Sequence, residues 1–130
     1  MKVSSSSAIN GADPLQAACP GRAIFETVTN RWTLLILWSL KDGTQRFFEI
    51  RDQVQGISER VLSQNLKALC RSGLIERQVE PTTPPKVSYT LTPIGSDLLT
   101  VMERLTGWIA DKLPKIIEAE QRYDRARRTL

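Results

Sequence analysis

The pattern of apolar and polar residues is most regular between Ser58 and Gly73, where it predicts an amphipathic helix. Apolar residues repeat with helical spacing on one side: Val61, Leu62, Leu66, Leu69 and Cys70. Polar residues recur at i, i+4, i+7 and i+11 on the other: Arg60, Gln64, Lys67 and Arg71. Ser58 suits the N-cap, because its hydroxyl can accept a hydrogen bond from an amide of the first turn, and Gly73 suits the left-handed position after the helix. We therefore expect one face to pack and the other to be available for recognition.

Two short runs after Gly73 predict a β-hairpin. Residues 74–80 lean apolar, and residues 86–91 alternate polar and apolar side chains with a period of two. The linker between them, residues 81–85, contains three prolines. Proline cannot donate a ladder hydrogen bond, so this linker suits an exposed hairpin tip, with Lys86 beside it.

A shorter helix is predicted just before Ser58. Phe47, Ile50 and Val54 stand at i, i+3 and i+7, and residues 55–57 form a short turn that contains a glycine. Two helices joined in this way, with polar side chains on the second, place a recognition helix in the major groove of DNA. With the hairpin, they predict a winged helix-turn-helix, a fold that is mainly α with a small β-hairpin.

Further helices are predicted on both sides of this motif. Residues 31–40 are almost wholly apolar, so we expect a buried core helix in which Trp32 and Trp38 are packing anchors rather than parts of a ligand pocket. Thr92 and Pro93 suit the start of a long helix. Its apolar residues form a wide stripe: Ile94, Leu98, Leu99, Val101, Met102, Leu105, Trp108 and Ile109. A small winged helix cannot cover this stripe from one side, so part of it is expected to meet a second copy of the same helix.

The C-terminal region is expected to end irregularly. Pro114 should break or kink the long helix, and a further short helix is predicted over residues 116–123 before a basic tail that frays. A chain of 130 residues with 41% hydrophobic content fits one domain. We therefore predict a flexible N-terminal tail (1–18), a winged helix-turn-helix domain that includes the dimerisation helices (19–121), and a basic C-terminal tail (122–130).

The net charge of +4 favours an anionic partner only weakly. Residues 46–77 carry six Lys/Arg against four Asp/Glu, whereas residues 122–130 carry four Arg against one Asp, so much of the excess lies in a tail that is usually solvated. The first residues lack the apolar core of a signal peptide, and no segment is apolar enough to span a membrane. These features predict a cytoplasmic protein.

An enzyme is not expected. The chain has no histidine, which excludes His-dependent triads and His-bearing zinc sites, and it has no Gly-rich phosphate loop. Its two cysteines, Cys19 and Cys70, stand too far apart for a Cys-x-x-Cys motif. A thiol enzyme working through Cys19 would lack both a histidine and a nearby second thiol. No cofactor or metal is predicted.

Cys19 admits two interpretations. It precedes Pro20, which suits the first position of a helix that continues to Val28. A thiol at a helix N-terminus with Arg22 nearby is where a lowered pKa, and hence an oxidisable thiolate, is expected. The alternative is a partly buried thiol that packs and has no chemical role. Cys70 lies on the apolar side of its helix and is predicted to be a packed thiol.

A series of short blocks carries a family resemblance over roughly residues 19–113. In chain order they are Cys19-Pro20, RWTLLIL (31–37), Arg46-Phe47, Gly56-Ile57-Ser58, VLSQNL (61–66), GLIER (73–77), PPKV (84–87), YTLT (89–92) and Gly95. Together they resemble the HxlR family of bacterial transcriptional regulators. The resemblance implies a homodimeric winged helix-turn-helix protein that binds operator DNA, with N- and C-terminal dimerisation helices.

The resemblance also implies roles for particular residues. Those that match the recognition helix of the family are Ser58, Arg60, Ser63, Gln64 and Lys67. Lys86 matches its basic wing position, and Arg46, in the matching Arg46-Phe47 pair, is a further DNA-binding candidate. Some family members use the cysteine that matches Cys19 to sense oxidants, quinones or aldehydes. A small electrophile or oxidant is therefore a candidate effector.

The sequence departs from the family pattern at three positions. Asn30 stands where a glycine is usual, and asparagine tolerates a left-handed backbone. Phe48 replaces the small polar residue that normally caps the helix after Arg46-Phe47, so we expect this helix start to be less well specified. Glu80 replaces an aromatic residue at the end of the first wing strand, where its carboxylate would repel phosphate.

The predicted function is that of a sequence-specific DNA-binding transcriptional regulator, responsive to thiol chemistry or to a ligand. We expect a homodimer to place two recognition helices in successive major grooves of a pseudo-palindromic operator, about 34 Å apart. Gln64 is expected to read an adenine edge, and Arg60 or Lys67 a guanine or a phosphate. The alternative is a winged-helix module that binds another protein and no specific DNA, because a fold alone does not fix a function.

Overall fold

The computed structural model describes residues 15–128, and the chain divides into two compact units between Asp97 and Leu98. The helices and strands in chain order are α1 (Pro20–Val28), α2 (Thr33–Ser39), β1 (Gln45–Arg46), α3 (Phe47–Gln53), α4 (Glu59–Arg71), β2 (Ile75–Glu80), β3 (Lys86–Leu91) and α5 (Pro93–Arg128). Most of the predicted N-terminal tail, residues 1–14, and the last two residues lie outside the described part. The predicted domain limits therefore stay a prediction.

The three strands form one antiparallel sheet in the order β1-β3-β2. The predicted hairpin is present, and its register pairs Ile75 with Leu91 at one end and Glu80 with Lys86 at the other. A third strand joins it, because Arg46 pairs with Ser88. Helix-turn-helix and sheet together form a winged helix-turn-helix, so the predicted fold class is confirmed.

The core of the first unit is built from α2, α3 and α4. The apolar side chains with at most 2% exposure in these helices and directly after α2 are Ile36, Leu37, Leu40, Ile50, Leu62, Leu66 and Leu69. The last three belong to α4 and lie on the face that the spacing of apolar residues predicted to pack. Gly73 has a φ of +75°, so it ends α4 in the left-handed conformation predicted for it.

Helix α2 is buried on one side only, which corrects the prediction of an all-round buried helix. Leu35 and Trp38 are 43% and 41% exposed, so Trp38 is not a packing anchor. The reason is geometric, because residues three apart share a helix face, and the buried Ile36 and Leu37 lie on the opposite face. The Lys41 ammonium lies 5.8 Å from the centroid of the exposed Trp38 ring.

The side chain of Asn30 stabilises the turn between α1 and α2. Within the described residues only glycines have a positive φ, so Asn30, which stands where a glycine is usual, does not adopt the left-handed conformation that it could tolerate. Instead, Asn30 Oδ1 accepts a hydrogen bond of 2.9 Å from the Trp32 amide, a local turn typical of asparagine. The Thr33 hydroxyl donates to the Thr27 carbonyl at 2.7 Å and joins α1 to α2.

Thr92 joins the end of α4 to the start of α5. Its hydroxyl donates to the Gly73 carbonyl at 2.6 Å, and the same oxygen accepts the Gly95 amide at 3.2 Å. The predicted cap at Thr92 is therefore present. Gly95 is buried against the backbone so closely that a Cβ there would overlap the carbonyl oxygen of Leu74. This joint leaves no room for a side chain at residue 95.

Helix α5 continues through Pro114 to Arg128, so the predicted break, the separate short helix and the frayed tail up to residue 128 are wrong. Proline removes one hydrogen bond of the helix, but Lys112, Leu113 and Lys115 around it are strong helix formers.

In the second unit Leu99 and Met102 are buried, whereas Val101, Leu105, Trp108 and Ile109 are between 44% and 55% exposed. Among residues 15–128, no helix combines the length and apolar character needed to cross a lipid bilayer.

Candidate nucleic-acid interface

The two helices of the helix-turn-helix, α3 and α4, are held together by charged side chains at the turn. Arg51 of α3 donates to a carboxylate oxygen of Glu59, the first residue of α4, at 2.8 Å, and also pairs with Asp52. The hydrogen bonds to Asp52 and Glu59 raise the pKa of the Arg51 guanidinium. The guanidinium also lies 4.7 Å from the centroid of the Phe48 ring. Arg51 therefore fixes the start of α4 relative to α3.

The start of α3 is better specified than the sequence predicted. The Arg46 amide donates to the Glu49 carboxylate at 2.8 Å, so an acidic side chain of the first turn satisfies the amide that precedes the helix. This contact compensates for the missing polar cap at Phe48. It also holds Arg46 at the junction between the sheet and the helix-turn-helix.

Ser58 is the N-cap of helix α4, as predicted. The Ser58 hydroxyl accepts a hydrogen bond of 3.1 Å from the Val61 amide, which leaves the hydroxyl proton available to a ligand. The N-terminus of a helix attracts anions through its free amides and its dipole. Ser58 is exposed, so its hydroxyl can donate to an anion at this end of α4.

The exposed face of α4 brings together most of the predicted recognition residues. Arg60, Gln64 and Lys67 are exposed and Ser63 is half-buried. Within residues 15–128, neither Arg60 nor Lys67 forms an ion pair with a carboxylate. The side chains that can read bases are therefore not engaged by the protein itself, which suits direct readout in the major groove.

Arg46 and Lys86 lie on the same face of the sheet, beside the wing tip. Arg46 is directly opposite Ser88 on β3, and Ser88 and Lys86 are two residues apart on that strand. The two predicted DNA-binding residues are thus neighbours although 40 positions separate them in the sequence. Glu80 is the cross-strand partner of Lys86, so its carboxylate lies beside the wing lysine.

A groove separates α4 from the hairpin, and we call it the basic groove. It has a volume of about 680 Å³ and is lined by Ser63, Leu66, Lys67, Cys70, Arg71, Arg77 and Tyr89. Arg77 was not among the predicted site residues. Its position follows from the register, which places Arg77 opposite Tyr89 and on the same sheet face. The alternation of residues along both strands was the available signal for grouping Arg77 with Tyr89, but only the folded structure shows that both residues border α4.

The two cysteines occupy different parts of the first unit. Cys19 is the half-buried N-cap of α1, outside the helix-turn-helix, and its carbonyl accepts the Arg22 amide at 2.9 Å. Cys70 is half-buried in α4 at the basic groove. Burial raises the pKa of the Cys70 thiol, and the nearby Arg77 guanidinium opposes this effect to a smaller extent. A raised pKa leaves less thiolate at neutral pH, as expected for a packed thiol.

Fold and surface together define the class of protein. An exposed recognition helix, a basic wing and a helix-turn-helix scaffold are the parts that a DNA-binding winged helix-turn-helix protein requires. The HxlR-like helix-turn-helix family model matches residues 27–117. The chain therefore belongs to the HxlR-like helix-turn-helix family, and the predicted family is confirmed.

Known relatives are similar over most of this chain. "Uncharacterized HTH-type transcriptional regulator YtfH" of Escherichia coli is 40% identical over 99 residues, which are 76% of this chain and 79% of the relative. A solved structure of the putative regulator ytfH from Salmonella typhimurium superposes with a TM-score of 0.77 and 37% identity, covering 85% of this chain and 98% of that chain. Diamide-treated YodB of Bacillus subtilis has a TM-score of 0.62 and 38% identity, with coverage of 74% and 96%.

Proposed function

We propose that this protein is a cytoplasmic transcriptional regulator that binds a pseudo-palindromic operator as a homodimer. The observation that carries the proposal is the exposed face of α4, where Arg60, Gln64 and Lys67 project from a helix that its cap and the Arg51–Glu59 ion pair hold in place. Gln64 is suited to a bidentate hydrogen bond with adenine, and Arg60 to one with guanine. Arg46 and Lys86 add phosphate contacts from the sheet.

The second unit supports the homodimer. Val101, Leu105, Trp108 and Ile109 expose apolar area on one helix, and an apolar surface of this kind on a small protein usually meets a partner. A second copy of α5 matches this surface in chemistry, because a twofold interface is self-complementary. On a pseudo-palindromic operator, such a homodimer is expected to place two copies of α4 in successive major grooves, about 34 Å apart.

We also propose that oxidation or alkylation of Cys19 regulates DNA binding. Cys19 lies half-buried at the N-terminus of α1, and YodB, a relative, has been solved in a diamide-treated form. Oxidation or alkylation of Cys19 would place new bulk and polarity at the start of α1. We infer that α1 then moves and that the spacing of the two half-sites changes.

The experiment is a titration of the intergenic DNA upstream of the protein's own gene, with reduced and with oxidised protein. We expect nanomolar, salt-sensitive binding by the reduced protein and weaker binding after oxidation. An unrelated duplex of equal length is the control for sequence specificity. Binding that does not distinguish the two duplexes would favour the protein-docking alternative.

The Cys19→Ser variant separates the switch from DNA binding. Its operator affinity should match that of the reduced wild type and should not change on oxidation. If oxidation lowers the affinity of Cys19→Ser as much as that of the wild type, Cys19 is not the sensor. Cys70 is then the thiol to test, since the chain has only these two cysteines.

Substitutions at Lys86 and Glu80, which pair across the wing, should change the affinity for DNA in opposite directions. Lys86→Ala should lower the slope of log K against log salt by about 0.9 per half-site, with little change in base preference. Glu80→Gln removes the carboxylate beside Lys86 and should tighten binding about 1.5- to 5-fold, the range of a cross-strand charge interaction. Both are measured by DNA titration at several salt concentrations.

Glu76→Gln is the matched control for the change at Glu80. It removes the same charge from the same strand, but Glu76 pairs with Thr90 near the other end of β2. Its effect on affinity should be clearly smaller than that of Glu80→Gln. Equal effects would mean that the net charge of the protein, and not the carboxylate beside Lys86, lowers the affinity for DNA.

A further inference from the structure

The basic groove between α4 and the hairpin collects positive charge from two elements. Lys67 and Arg71 come from α4, and Arg77 comes from β2; all three are exposed. In the part of the chain that the structure describes, none of the three makes an ion pair or a side-chain hydrogen bond. Arg77 lines the groove together with Cys70, so β2 contributes a cation to the same groove as α4.

The remaining lining of the groove suits an anion with several acceptor oxygens. Ser63 and Tyr89 add two hydroxyl groups that can donate hydrogen bonds, while Leu66, 1% exposed, closes the floor. Three like charges around one groove repel each other unless an anion lies between them. A phosphodiester supplies one negative charge and oxygens that accept paired hydrogen bonds from arginine.

We propose that the basic groove binds a backbone phosphate of the DNA strand that borders the major groove entered by α4. The inference rests on the proposed function, because α4 in the major groove brings a phosphate strand alongside the helix. It adds Arg71, Arg77 and Tyr89 to the interface. It also assigns Lys67 to a phosphate rather than to a guanine, so base recognition is left to Arg60 and Gln64.

Arg77→Ala is the main test. The probe is a short duplex from the upstream intergenic region, titrated between about 50 and 200 mM salt beside an unrelated duplex. The variant should lower the slope of log K against log salt by about 0.9 per half-site. It should weaken binding to both duplexes by the same factor, because phosphate contacts carry no sequence information.

Two further variants separate charge from structure. Arg77→Lys keeps the charge and should retain most of the salt slope, although its affinity falls with the loss of paired hydrogen bonds. Tyr89→Phe should weaken binding without changing the slope, because a neutral hydroxyl releases no counterion. The midpoint of thermal unfolding, measured for each variant, should equal that of the wild type.

Lys41→Ala is the matched control, since Lys41 is also a cation of the first unit but lies over the Trp38 ring and does not line the groove. It should leave the slope unchanged. If the wild type binds DNA in a salt-sensitive manner and Arg77→Ala keeps its slope, the groove is empty in the complex and the inference is wrong. If the wild type binds neither duplex, the proposed function itself fails.

Discussion

Gly95→Ala is expected to lower the free energy of unfolding by about 1–3 kcal/mol, the usual cost of forcing a methyl group into a filled site. The new Cβ would overlap the Leu74 carbonyl oxygen, which is backbone and cannot rotate away. It would also disturb the Gly95 amide that donates to Thr92. For a chain of this size the midpoint of thermal unfolding should fall by roughly 3–15 °C, as measured by circular dichroism.

Gly107→Ala is the control for this prediction. Gly107 lies in the same helix, and a Cβ there would meet no atom within 4 Å. Alanine favours a helix by about 1 kcal/mol over glycine, so this variant should be as stable as the wild type or more so. If both variants lose the same stability, the overlap with Leu74 is not the cause.

Gln64→Ala is expected to reduce discrimination between the operator and a duplex in which the adenine contacted by Gln64 is replaced. A bidentate contact to a base is worth about 1–3 kcal/mol, so discrimination should fall by roughly 5- to 150-fold for each half-site. The loss is specific because Gln64 is uncharged and adds nothing to the salt slope. The measurement is competition between the two duplexes at one salt concentration.

The matched control is Gln78→Ala, which removes the same exposed side chain from the sheet, where Gln78 pairs with Ser88. Base preference should be unchanged in this variant. If Gln64→Ala weakens every duplex equally and leaves base preference intact, the assignment of Gln64 to direct readout is wrong.

Elements defined by local signals were predictable from the sequence. The cap at Ser58, the glycine at residue 73 and the spacing of the leucines between them determined α4, and the prolines of residues 81–85 determined the hairpin. The exposure of Trp38 was not predictable in this way. It depends on which face of a two-turn helix meets α3, and periodicity cannot decide this when nearly every residue is apolar.

Of the site residues, those on one helix could be grouped from the sequence, whereas those brought together by strand pairing could not. Arg60, Gln64 and Lys67 share one helix face, so their grouping follows from the helical repeat alone. The meeting of Arg46 with the wing needs the pairing of β1 with β3, a contact between segments 40 residues apart. Arg77 likewise meets Lys67 only because β2 packs beside α4 in the folded chain. Residues brought together by the sheet were therefore the ones that the sequence did not group.

Few substitutions are expected to be tolerated at Thr92 and Gly95, which connect α4 to α5. One side-chain atom must donate to the Gly73 carbonyl and accept the Gly95 amide, and three residues further on the backbone leaves no space for a methyl group. Valine has the shape of threonine but neither hydrogen bond, and aspartate can accept but, when ionised, cannot donate. Serine is the replacement that keeps both bonds on an atom at the same distance from the backbone. Thr92 and Gly95 are therefore expected to be retained together, because both are needed to join the end of α4 to the start of α5.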